Sequence, residues 1–224
     1  GGCVYTFPAA LFQSKSLPGT VKSLTWMNDA ADFSIVDQVA TAYPWVRSGD
    51  AIVTNAQYPP ISNTTRSMFP DQVSNPTASL RGYSGFDMNG LASLIQTATA
   101  FSVEAWVYIT QPLGYNNYSH AILGQCKSLG GGEQGLCIYN QKLHWMRNPG
   151  VTSTALNYVG NITIPLNTWT FVEFGWDDGT GYTFVNGALD GTFSDATGWF
   201  NTGQLYTLGH LLNAGFDAYR FGLV

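Results

Sequence analysis

Residues 168–193 read Thr168-Trp169-Thr170-Phe171-Val172-Glu173-Phe174-Gly175-Trp176-Asp177-Asp178-Gly179-Thr180-Gly181-Tyr182-Thr183-Phe184-Val185-Asn186-Gly187-Ala188-Leu189-Asp190-Gly191-Thr192-Phe193. Thr168 to Trp176 is dense in β-branched and aromatic residues and holds no proline, which predicts a strand. Asp177 to Gly181 interrupts it with turn formers. Tyr182 to Val185 resumes the strand pattern. Asn186-Gly187 supplies the two positive-φ positions of a type I′ turn, and Ala188 to Phe193 is expected to run back antiparallel. The two-residue period puts Trp169, Phe171 and Glu173 on one face and Thr170, Val172, Phe174 and Trp176 on the other. Both faces carry large apolar groups, whereas a strand with one wet face alternates more cleanly. The strand is therefore expected in the middle of a sheet, with a packed core on one side and an aromatic-lined surface on the other.

At 224 residues the chain suits one large β domain, or one domain with an extension. Apolar residues make up 45% of it, enough for a core, while only 10% are charged. Globular domains average roughly 25%. Solubility must then rest on Ser, Thr, Asn and Gln, a composition that fits a secreted or surface protein. The net charge is −5, and the nine Lys and Arg are scattered singly. No basic stripe is available to neutralise phosphates, so nucleic acid is excluded as a partner. No apolar run reaches the roughly 18 residues of a membrane span, so no membrane insertion is expected. No signal-peptide pattern opens the sequence. Gly1-Gly2-Cys3 reads as a processed terminus or the edge of a fragment.

Residues 1–76 differ from the rest. They carry Tyr5, Phe7, Phe12, Trp26, Phe33, Tyr43 and Trp45, too many aromatics for simple disorder. Yet no clean period runs through them. Prolines punctuate the stretch at Pro44, Pro59, Pro60, Pro70 and Pro76. They are expected to form an N-terminal extension that packs on the domain at 77–224 or on a neighbouring copy.

From Thr77 onward the pattern tightens. Ala100-Phe101-Ser102-Val103-Glu104-Ala105-Trp106-Val107 resembles the "d-F-S-i-E-a-W-v" strand of the laminin-G-like jelly rolls, within the concanavalin A-like lectin/glucanase superfamily. The "W-x-h-v … y-v-N-G" centre of those domains is matched by Trp169 to Gly187. Ala78 to Met88, Ala121 to Gln125, Leu136 to Met146, Leu205 to His210 and Gly215 to Phe221 resemble further family strands in the family's order. The resemblance covers residues 77–224. It implies an all-β, two-sheet antiparallel jelly-roll sandwich.

Sugar-cleaving members of that superfamily carry Glu-x-Asp-x-x-Glu or a form one residue longer, and the chain has neither. Its glutamates are Glu104, Glu133 and Glu173. Glu104 and Glu173 meet across one sheet face if their strands pair, but the glutamate before "a-W-v" is common in members that do no catalysis. No catalytic residue is therefore assigned. Calcium is the ion the resemblance raises, through pentraxins and laminin-G-like domains that hold it with clustered oxygens. Asp177 and Asp178 are explained by the turn, and Asp190, Asp195 and Asp217 are isolated. No metal ligand and no cofactor are assigned. His120, His144 and His210 lack the spacing of a zinc site.

Aromatic rings that stack on sugars remain. Trp106, Tyr108, Tyr115, Tyr118, Trp145 and Trp199 each offer an apolar face beside a polar group. Tyr115, Tyr118 and Trp199 lie in loops and lead as ligand-binding residues. Trp106 and Tyr108 follow, on the face of their strand shared with Glu104.

Cys126 and Cys137 flank a glycine-rich tip between two strand candidates, an arrangement that reads as a hairpin disulfide. The plainer alternative is a pair of reduced thiols. Cys3 is left over. Asn63, Asn117 and Asn161 open N-glycosylation sequons.

The function expected is a non-enzymatic extracellular recognition module for glycan or protein. A structural subunit of a filament, coat or capsid, self-associating through the N-terminal arm, is the alternative. A glycosidase ranks third.

Overall fold

The computed structural model describes residues 34–35, 45–48, 51–54, 67–70, 85–88, 99–110, 112, 120–126, 133–148, 156–195 and 206–208. These residues form only strands and the turns between them. In chain order the strands are β1 (Ser34–Ile35), β2 (Trp45–Ser48), β3 (Ala51–Thr54), β4 (Ser67–Pro70), β5 (Gly85–Met88), β6 (Ala100–Val107) and β7 (His120–Cys126). They continue as β8 (Glu133–Tyr139), β9 (Lys142–Asn148), β10 (Leu156–Val159), β11 (Thr170–Asp177), β12 (Thr180–Val185), β13 (Ala188–Ser194) and β14 (Tyr206–Leu208). No described helix is long and apolar enough to cross a membrane.

Two sheets face each other. The large one has the order β1-β2-β5-β14-β7-β8-β9-β10 and the small one β13-β12-β11-β6; β3 and β4 form a separate pair. Every pairing is antiparallel. The all-β antiparallel sandwich expected from sequence is thus the observed architecture. As expected, β11 is central in its sheet, between β6 and β12.

The core lies between the sheets. Val107, Val172, Phe174, Trp176 and Val185 enter it from the small sheet, and Ile122, Leu123, Leu136, Ile138, Leu143 and Trp145 from the large one. Alternation on β11 delivers these side chains, because Val172, Phe174 and Trp176 share one face. Trp145 was a stacking candidate in the sequence. It is instead 2% exposed and lies flat on Phe174 across the two sheets.

Tight turns set the register. Asn186 and Gly187 have φ of 49° and 77°, as a type I′ turn demands. Asp178 and Gly179, at 37° and 89°, turn β11 into β12. Asp177 and Asp178 thus serve a hairpin. Asn140 and Gln141, at 48° and 61°, make a third such turn without any glycine. Between β12 and β13 the register slips after Thr183, leaving Asp190 as the extra residue of a bulge.

Residues 1–76 contribute β1 to β4, and β2 pairs with β5 across residue 77. Strand β10 lies where the sequence raised no expectation. One expectation requires revision: the register rules out a bridge between Cys126 and Cys137. Cys126 stands opposite Glu133, whereas Cys137 stands opposite Ala121, four residues farther along β8. At a rise of about 3.4 Å per residue that offset exceeds 13 Å. A disulfide needs Cα atoms within about 7 Å.

Candidate functional site

The face of the small sheet turned away from the core is built by the other half of each strand's alternation. On β6 it presents Ser102, Glu104 and Trp106; on β11, Phe171, Glu173 and Gly175. The register sets them in rows, Trp106 opposite Phe171, Glu104 opposite Glu173, Ser102 opposite Gly175. Phe184 on β12 stands opposite Glu173 on its other side, and Tyr182 opposite Gly175. Leu189 on β13 extends the Phe184 row and is 57% exposed.

Aromatic contacts continue beyond the end of β6. Trp106 and Phe171 have ring centroids 5.5 Å apart, tilted by 54°. Tyr108 and Trp169 repeat that geometry at 5.4 Å and 54°. All four rings are half-buried. The face closes toward its middle, where Glu173 is 4% and Phe184 7% exposed. It is therefore open at the Tyr108–Trp169 end and shut at the Glu173–Phe184 pair in its middle.

Glu104 and Glu173 are neighbours on this face. Burial, and after it the charge on Glu173, push the Glu104 carboxyl up to about 7. Its Oε1 is buried and meets no hydrogen-bond partner among the described residues. Every described Lys, Arg and His lies on a strand of the large sheet: Arg47, His120, Lys142, His144 and Arg147. The outer face of the small sheet thus carries acid and aromatic groups but no cation among the described residues.

Of the ligand-binding residues expected from sequence, the structure places Trp106 and Tyr108 together on this face. Tyr115, Tyr118 and Trp199 lie outside the described residues, as do Asn63 and Asn117. Trp169 and Phe171 complete the aromatic face without having been singled out as ligand-binding. Their alternation with Val172 and Phe174 was the available signal, and it needed the β6–β11 register to become a site. Asn161 is exposed, but its amide Nδ2 donates to the Asp190 carbonyl at 2.7 Å. That nitrogen is where a glycan would attach. No group of three or more His, Cys, Asp or Glu able to hold a metal occurs among the described residues.

The rim opposite β6 is bolted shut by Asp190, itself 2% exposed. Its carboxylate accepts from the Ile162 amide at 2.5 Å and from the Thr183 hydroxyl at 3.0 Å. The bulge aims it there, tying β13 to the segment that follows β10. Lys142 Nζ donates to the Asn161 carbonyl at 2.8 Å and fixes the same segment to β9.

Residues 81–221 match a laminin-G-type family model described as the concanavalin A-like lectin/glucanases superfamily. The chain belongs to that superfamily. Among solved structures, domain 4 of AbnA, an extracellular GH43 arabinanase from Geobacillus stearothermophilus solved with arabinotriose, is similar at a TM-score of 0.54 and 16% identity. The match covers 89% of this chain and 91% of that one. The binding domain of Paraclostridial Mosquitocidal Protein 1 is similar at 0.51 and 12% identity, over 86% of this chain and 49% of that one. The Trypanosoma rangeli sialidase is similar at 0.51 and 16% identity, over 97% and 31%. The first solved chains matched are only 49%, 32% and 48% covered, so this superfamily member corresponds to about half of them or less. At these identities the likeness is one of fold. No curated protein matches the chain by sequence.

Proposed function

We propose that this superfamily member is a non-enzymatic, extracellular recognition module that binds a neutral glycan on the outer face of its small sheet. The observation that carries the reading is the pair of aromatic contacts, Trp106–Phe171 and Tyr108–Trp169, held half-exposed outside the sandwich core. Rings in that state offer an apolar surface that a sugar's C–H face covers. The face carries the acidic residues Glu104, Glu173 and Asp177 and no cation among the described residues to hold an anion, which disfavours sulfated or sialylated ligands. The arabinanase domain solved with arabinotriose supports a sugar as ligand, and the mosquitocidal protein's binding domain supports recognition as the role.

Cleavage is the competing reading, because Glu104 and Glu173 are directly opposed. A retaining glycosidase needs two carboxyls about 5–5.5 Å apart, both within reach of the sugar. Glu173, at 4% exposure, fails the second condition. Binding without turnover is the function this arrangement supports best.

The test is calorimetric titration of the full chain with arabinotriose and other neutral oligosaccharides, alongside a sulfated control, with new reducing ends assayed in parallel. Saturable binding of a neutral sugar without new ends is expected. Trp106→Ala should weaken it about tenfold, or roughly 1.4 kcal/mol. Turnover that disappears in Glu104→Gln would instead make the protein a hydrolase.

A further inference from the structure

The row formed by Trp106 on β6 and Phe171 on β11 continues to Asn186, one residue past the end of β12. Val172 pairs with Val185, so Phe171 and Asn186 are the next opposed residues. Asn186 N donates to the Phe171 carbonyl at 2.7 Å. In a hydrogen-bonded antiparallel pair the second bond runs from the other N–H back to the facing carbonyl. Here the Phe171 N–H donates instead to Oδ1 of the Asn186 side chain, at 2.9 Å. Asn186 has a φ of 49°, where the chain turns into β13, and its carboxamide supplies the acceptor of this last rung. The bond also fixes which way round the amide lies, because the reversed amide would set one donor against another. Thr170 and Val185, the chain neighbours of these two residues, are buried. Alternation therefore puts Phe171 and Asn186 on the outer face, and Asn186 is exposed there.

We propose that Asn186 is a ligand-binding residue that selects for oxygen acceptors, its Nδ2 donating to a sugar seated over Phe171. The inference rests on the glycan reading of this face. With Oδ1 committed to the Phe171 N–H, only Nδ2 is left to recognise a ligand, and it meets no acceptor among the described residues. Trp106 Nε1, on the other side of Phe171 in the row, meets none either. The row therefore reads donor, ring, donor. A sugar whose C–H face covers the Phe171 ring carries its ring and hydroxyl oxygens around that face, within the class of groups both donors require. Neither donor is charged, so the row suits a neutral ligand. The Phe171 N–H holds the carboxamide in place before ligand arrives, so binding immobilises little that was free. A turn asparagine without this role needs only its backbone and Oδ1.

The test is titration of the full chain, its asparagine amides labelled with 15N, with arabinotriose, xylotriose, cellotriose and maltotriose. At saturation the Asn186 Nδ2 protons should shift and exchange more slowly with water. Asn186→Asp keeps an oxygen for the Phe171 N–H and tolerates a positive φ, so exchange of the Phe171 amide should stay as in wild type. Its affinity at neutral pH should nevertheless fall about tenfold, because a carboxylate donates nothing. Trp106→Ala serves as the control for the face itself. If that variant binds more weakly but the wild-type Nδ2 protons do not respond at saturation, this inference is wrong and the glycan reading stands. Equal affinity of Asn186→Asp and wild type would overturn it in the same way. Failure of all these sugars to bind would remove the glycan reading and this inference with it. Should Asn186→Asp not fold, the wild-type Nδ2 protons decide alone.

Discussion

Trp145 of the large sheet stacks on Phe174 of the small sheet, with centroids 4.6 Å apart and planes 11° from parallel. This contact joins the two layers at the centre of the core. Phe174 also meets Phe101 at 5.9 Å and Phe193 at 6.3 Å. Phe171, three residues earlier on the same strand, points the other way and is half-buried. Phe174→Ala should cost about 3–5 kcal/mol, the range for deleting a fully buried ring. Phe171→Ala should cost less than half as much. Urea denaturation of both variants checks this, and similar losses would contradict the assignment of inner and outer faces.

The cysteine arrangement shows what sequence spacing hides. Two cysteines flanking a glycine-rich tip look symmetrical in the sequence. The turn is not symmetrical about them, since Cys126 pairs with Glu133. Peptide mapping without reduction should yield no peptide joining Cys126 to Cys137. Recovery of that joined peptide would mean that the β7–β8 register differs from the one described.

Asn161 is expected to remain unglycosylated when the chain is secreted from a glycosylating host. Its Nδ2 is turned toward the Asp190 carbonyl, and a Cβ on the adjacent Gly191 would lie 3.3 Å from it. Site-resolved mass spectrometry should find the unmodified asparagine. Substituting Asp190 by Ala should destabilise the fold by about 1–3 kcal/mol, because the Ile162 amide and the Thr183 hydroxyl lose their buried acceptor. Full occupancy of Asn161 in a stable protein would contradict this placement.

The inner half of the small sheet was legible in the sequence. Strands β6 and β11 advertise themselves by β-branched and aromatic residues at a period of two, and Asn186-Gly187 announces its turn. Asn140-Gln141 did not, because glutamine rarely takes a positive φ and the pair lacks the usual glycine. Trp106 and Tyr108 were visible as stacking residues, but Trp169 and Phe171 became their partners only through the β6–β11 register. The burial of Glu173 was not legible at all. It depends on what covers the outer face, a long-range property that no local pattern encodes.

We further propose that residues 1–76 serve as an arm through which copies of the chain associate. Every core residue named among the described residues lies between Val107 and Val185. Removal of residues 1–70 takes away β1 to β4 and exposes the β5 edge that pairs with β2. The truncated chain should fold, as judged by a cooperative thermal transition, and sediment as a smaller species than the full chain. A truncated chain that assembles as the full chain does would remove this role from the arm. One that fails to fold would make the arm an integral layer of the sandwich.

The proposed function depends most on the outer face of the small sheet being the place where ligand is met. The most direct measurement is the indole N–H spectrum of the protein during titration with arabinotriose or another neutral oligosaccharide that binds. The signals of Trp106 and Trp169 should shift in a saturable way, while those of Trp145 and Trp176, each 2% exposed in the core, stay in place. Saturable binding that leaves Trp106 and Trp169 unmoved would place the ligand elsewhere on the molecule and contradict the account.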